Sequence, residues 1–176
     1  MVNASTKRAL RLPAWKSVQL GLAKSLPDLR CRLRQVNCGI GEYGNEILRS
    51  RKFAIATKPT RVRLTLVRVC DLGFSAHTSY ADIRARAGEF GLNECPAEVG
   101  PVLRLEYLDQ EVGDVLHVGM EAIARPRTYH QFLFILKHGA DARRQQCTGS
   151  RLWLDGRLGN WAGAFWPNDR FVFALP

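Results

Sequence analysis

The clearest periodicity in the chain lies in SYADIRARAGEFGL (79–92), where Tyr80, Ile83, Ala87 and Phe90 recur at helical spacing. Ser79 with Asp82 three residues on fits a variant of the capping box, and Gly91 is placed to end the helix. Arg84, Arg86 and Glu89 fall on the opposite, solvent-facing side. A second helix is expected from about 26 to 36, with Leu26, Leu29, Leu33 and Val36 on its apolar stripe. Ser25 offers its N-cap, Pro27 suits the first turn, and Asp28 suits the positive end of the dipole. GIGEYGNEILRS (39–50) reads as a third, short helix with Tyr43, Ile47 and Leu48 on its buried edge.

Alternation with a period of two marks the strands. AWKSVQL (14–20) is a short one, and RVRLTLVRVCDLGF (61–74) places Val62, Leu64 and Leu66 opposite Arg61, Arg63 and Thr65. VLRLEYL (102–108) and VLHVGMEAI (115–123) sort into one hairpin register. Leu103, Leu105 and Tyr107 then join Leu116, Val118 and Met120 on an apolar face. That register sets Glu106 directly across from His117. YHQFLFILK (129–137) is apolar on both faces and expected to be central. RLWLD (151–155) is turned by Asp155-Gly156, and RFVFAL (170–175) is the last strand. The sum is an α+β domain, an antiparallel sheet with two or three helices packed mainly on one face. Lys58-Pro59-Thr60 is the natural joint between a basic segment 1–58, which opens on a frayed polar start and is separate from or integral to the same domain, and an α+β core 59–176.

Charge sharpens this division. The 176-residue chain carries a net +10. Residues 1–68 hold 15 Lys/Arg against 3 Asp/Glu, and residues 69–176 hold 11 against 13. Basicity confined to one half points to a polyanionic partner, nucleic acid before an acidic membrane surface. The candidate contacts are Lys7, Arg8, Arg11, Lys16, Arg30, Arg34, Arg49, Arg51 and Lys52; the plainer alternative is a solvated basic face. The arginines at 30, 32 and 34 step about 200° around the helix each time, so they form no single stripe. No run approaches 18 apolar residues and no apolar signal core opens the chain, so neither a membrane span nor a secretory signal is expected. The five cysteines have no CxxC and no zinc-ligand spacing, which suits reduced thiols in the cytoplasm.

Candidate chemistry is sparse. Cys95 lies between Glu94 and Glu98, whose charges disfavour a thiolate, so a small buried hydrophobe is expected there. Glu106, His117 and Glu121 are too few to specify a metal, and a cross-strand surface pair accounts for them. Trp153, Trp161, Phe165, Trp166, Phe171 and Phe173 crowd into 21 residues beside Gly156, Gly159 and Gly163. Phe171 and Phe173 alternate as core does, which leaves Trp161 and Trp166 as candidates for a ligand loop beside Glu106 and His117. GxGxxG, GxxxxGK[ST], HExxH and GxSxG are all missing, so no catalytic residue, metal or cofactor is assigned.

WKSVQLG (15–21), DLGF (71–74), CPAEVGPVLRLEY (95–107), MEAI (120–123) and FVF (171–173) together resemble a family of small bacterial proteins, chiefly of candidate phyla, that has no assigned activity. Against that family Arg61, Arg63 and Arg68 replace acidic or neutral residues, and Ala122 replaces a proline. The resemblance implies no functional residues. The leading expectation is a non-enzymatic domain that binds a polyanion through its basic N-terminal portion. A small-ligand module or enzyme built on the tryptophan loop, and a protein-interaction module, are the alternatives.

Overall fold

In the computed structural model, residues 12–125, 128–139, 151–160 and 165–176 are described. Among them the chain runs β1 (Lys16–Leu20), α1 (Leu26–Gln35), β2 (Gly39–Ile40), α2 (Glu42–Arg49), β3 (Thr60–Arg68), α3 (Tyr80–Glu89), α4 (Val99–Glu106), β4 (Val115–Val118), β5 (Ile123–Ala124), β6 (Gln131–Gly139), β7 (Arg151–Leu158) and β8 (Arg170–Ala174). The strands form one strongly curled sheet in the order β1-β3-β8-β4-β6-β7-β2, with β5 added to β6. The class is α+β. No helix among the described residues is long and apolar enough to cross a membrane.

The sheet is mixed, not antiparallel as expected. β4 runs parallel to β8, and β2 runs parallel to β7. Alternation shows which side chains share a face of a strand, but it carries no information about which strand lies alongside. β8, the last in sequence, inserts between β3 and β4, and this placement creates one of the parallel pairs. β1 and β2, both from the basic N-terminal segment, pair with β3 and β7.

The largest departure is the expected hairpin. Residues 102–106 are the end of α4, a helix, so Glu106 does not face His117 across two strands. The stretch satisfies two periods at once: Val99, Val102 and Leu103 stand at i, i+3 and i+4, all buried, as helix requires. Pro101 falls in the first turn, where its missing N–H leaves no hydrogen bond unmade. Gly100 brings the helix backbone onto the ring of Phe134, where a Cβ would approach ring carbons to 2.5 Å. Packing on β6 therefore decides for helix.

Smaller differences have similar causes. The 61–74 strand ends at Arg68, and Val69–Leu72 is a 3-10 turn closed by Gly73 at φ 96°. Asp155-Gly156 does not turn the chain, because β7 continues through it opposite Ile135 and Phe134 of β6. The 115–123 strand splits into β4 and β5, and 39–50 divides into β2 and α2. The helix expected at 79–92 forms with Ser79 as N-cap, its hydroxyl accepting from the Asp82 N–H at 3.1 Å.

Candidate nucleic-acid interface

α1 and α2 bring three arginines together. Arg30 donates to Asn45 Oδ1 at 2.6 Å, which links the two helices. The half-buried position of the Arg30 guanidinium lowers its pKa, and the neighbouring Arg49 and Arg34 guanidiniums lower it further. Arg30 and Arg34 are one helical turn apart on α1, and α2 brings Arg49 within electrostatic reach of Arg30. Among the described residues no carboxylate forms an ion pair with Arg30, Arg34, Arg49 or Arg51. Arg34, Arg49 and Arg51 are exposed.

The other candidates are occupied or lie elsewhere. Lys16 on β1 sits over the rings of Trp15 and Tyr107, 5.3 and 5.1 Å from their centroids, so its charge is engaged by π-faces. Lys52 pairs with Glu121 at 3.1 Å. That pair stands at a cleft of ≈350 Å³ lined also by Glu94, Cys95, Pro96, Ala97 and Ile123. Lys7, Arg8 and Arg11 lie outside the described residues.

The expected ligand loop falls only partly within the described residues. Trp161 lies outside the described residues, and Trp166 is 57% exposed. Glu106 stands at the end of α4, where partial burial raises its pKa against the opposing effects of the Gln19 backbone N–H and Lys16. His117 is fully buried on β4, between Phe165 and Phe171, with ring centroids at 5.3 and 4.8 Å. Its Nδ1 meets the Arg170 carbonyl at 3.0 Å and its Nε2 meets Arg157 Nη1 at 3.1 Å. A neutral imidazole protonated at Nδ1 satisfies both contacts, donating to the carbonyl and accepting from the guanidinium. Burial, reinforced by Arg157, lowers its pKa to about 4. Both ring nitrogens being committed, His117 is a structural group.

The CPAEVGP stretch is structural too. Cys95 is buried, its thiol directed at the Val172 carbonyl 3.6 Å away, and burial pushes its pKa up. Glu98 is buried and accepts from the Gly21 N–H at 3.0 Å and the Ala56 N–H at 2.8 Å. Gly21, at φ 74°, lies within 2.8 Å of the Lys58 and Ala56 carbonyls, measured from where a Cβ would sit. One carboxylate thus ties two loops of the basic segment to the start of α4. Among the described residues no three His, Cys, Asp or Glu side chains converge to hold a metal ion.

The arginine group was partly visible in the sequence. Arg30 and Arg34 are an i, i+4 pair and share a helix face, a relation hidden by reading 30, 32 and 34 as equal steps. The approach of Arg49 had no sequence signal, since it depends on how α2 sits against α1. No protein-family model matches the chain, and no curated protein or solved structure matches it.

Proposed function

We propose that the protein is a small cytoplasmic binding domain that holds nucleic acid through its phosphates, using Arg30, Arg34 and Arg49. The observation that supports this reading is the gathering of these three guanidiniums with no carboxylate paired to any of them among the described residues. Like charges held together are unfavourable unless an anion joins them, and guanidinium forks match phosphate oxygens two at a time. Such contacts set position and affinity without reading sequence. The resemblance of the CPAEVGP block to a family without assigned activity adds no reaction to this reading.

Anisotropy of a labelled oligonucleotide, titrated with the protein at salt from about 50 to about 300 mM, tests it. Three neutralised phosphates correspond to a slope of log K against log salt of roughly −2 to −3. The Arg34→Glu, Arg49→Glu double variant is expected to lose most of the binding while melting as the parent does. Binding that is flat in salt, or unchanged in the double variant, overturns the assignment.

A further inference from the structure

We propose that the cleft at the Lys52–Glu121 pair binds a small zwitterion, an α-amino acid with an apolar side chain. Its ≈350 Å³ lies at the lower end of small-molecule sites, which run from about 300 to about 1,000 Å³. That is room for one such molecule. The cleft shares no residue with the group of Arg30, Arg34 and Arg49, and binding here is independent of the phosphate reading above.

The lining is held in place by the fold itself. Two of its segments run side by side, where Cys95 bridges Met120 in parallel and the Cys95 N–H donates to the Gly119 carbonyl at 2.7 Å. The Pro96 and Ala97 carbonyls accept from Val99 and Gly100 at 2.9 and 3.1 Å. Next to Glu121, the buried Tyr80 hydroxyl donates to the Met120 carbonyl at 2.6 Å and accepts from the Met120 N–H at 2.7 Å. Ile123 is paired with Phe132 of β6. Lys52 enters from the loop after α2, with its N–H on Ser50 Oγ at 3.2 Å. A ligand entering a preformed cleft loses less freedom than one that must first order a loop.

The charges of the cleft select the ligand. Lys52 is a positive pole and Glu121 a negative one, 3.1 Å apart, and both side chains are more than half exposed. Glu94 is already paired with Arg84. An exposed pair of this kind is held weakly and opens at little cost. A simple anion that took Lys52 would leave Glu121 unpaired beside it, and a simple cation would do the same to Lys52. A molecule carrying both signs answers both poles. Lys52 then holds its carboxylate and Glu121 its ammonium, so one ion pair becomes two. Pro96, Ala97 and Ile123 line the same cleft and give an apolar side chain its surface. The Cys95 thiol, turned to the Val172 carbonyl, takes no part.

Amide NMR on the full chain tests the site with three matched probes. They are L-leucine, 4-methylpentanoate, which lacks the ammonium, and 3-methylbutylamine, which lacks the carboxylate. L-Leucine is expected to shift the amides of Lys52, Cys95, Ala97, Glu121 and Ile123 saturably. The two singly charged probes should bind on the order of tenfold more weakly. Lys52→Met and Glu121→Gln are each expected to weaken L-leucine on the order of tenfold while melting as the parent does, because the pair is exposed. Lys52→Met should not weaken the amine, and Glu121→Gln should not weaken the acid. No saturable shift at these amides by about 10 mM L-leucine overturns the site. Equal affinity for the three probes, or parental affinity for L-leucine in either variant, overturns the zwitterion assignment.

Discussion

Two groups of charged side chains differ in what surrounds them. Around His117 every charge has an answer. Arg157 donates to the imidazole, stands 3.8 Å from Asp169 and lies over the Phe165 ring at 4.7 Å, while Arg170 pairs with Asp114. Around Arg30 the neighbours are other arginines and the neutral Asn45 amide. A buried polar group must be partnered to be tolerated, so a closed network marks structure. A cluster of one sign at the surface, whose side-chain hydrogen bond goes to one neutral amide, has no such closure.

The strongest way to break this contrast is to empty the closed network. His117→Ala removes a ring packed between two phenylalanines together with its contacts to Arg157 and the Arg170 carbonyl, so a loss of about 3–5 kcal/mol is expected. Urea denaturation at neutral pH measures it. A loss under about 1 kcal/mol would mean that His117 is not the structural group described above.

Acid probes the same residue without mutation. His117 has its folded pKa lowered from 6.5 to about 4, so between those values the unfolded chain binds a proton that the folded chain refuses. Stability from this group is complete above about pH 6.5, falls as pH drops, and levels off below about 4. The full change is about 3 kcal/mol. His117→Phe should flatten the curve in that window, and a parental slope that persists in the variant would assign the effect to other groups.

How much of this was legible in the sequence depends on what each feature requires. The 80–89 helix was plain because Ser79, its apolar stripe and Gly91 all act locally. The strand at 170–174 was plain for the same reason, with Phe171 and Phe173 both buried. α4 was misread because Leu103, Leu105 and Tyr107 also fit a period of two, and only the close approach of Gly100 to Phe134 breaks the tie. His117 looked like a surface partner of Glu106 once that strand had been assumed. The parallel pairings and the meeting of Arg49 with Arg30 are facts of the tertiary arrangement, for which no local pattern exists.

The Glu98 clamp gives the next effect in size, and it belongs with the closed group although it lies near the basic segment. Glu98→Ala leaves the Gly21 and Ala56 N–H groups without their acceptor, at an expected cost of about 2–4 kcal/mol. Phosphate binding by the folded variant should be kept, since Arg30, Arg34 and Arg49 are untouched. A variant of full stability would show that water replaces the carboxylate at both amides.

The smallest effect is the most discriminating. Arg157→Ala and Arg49→Ala remove the same side chain from the two groups. At Arg157 the change takes a donor from His117 and a cation from the face of Phe165, and a cost of about 1–2 kcal/mol is expected. At Arg49 it takes a positive charge away from Arg30, which relieves repulsion. Stability should then hold or rise by a few tenths of a kcal/mol, with less gain at high salt. Matched denaturation curves at low and high salt measure both. Were Arg49→Ala to cost as much as Arg157→Ala, the arginine would be part of the framework, and the open cluster would lose its claim to a partner.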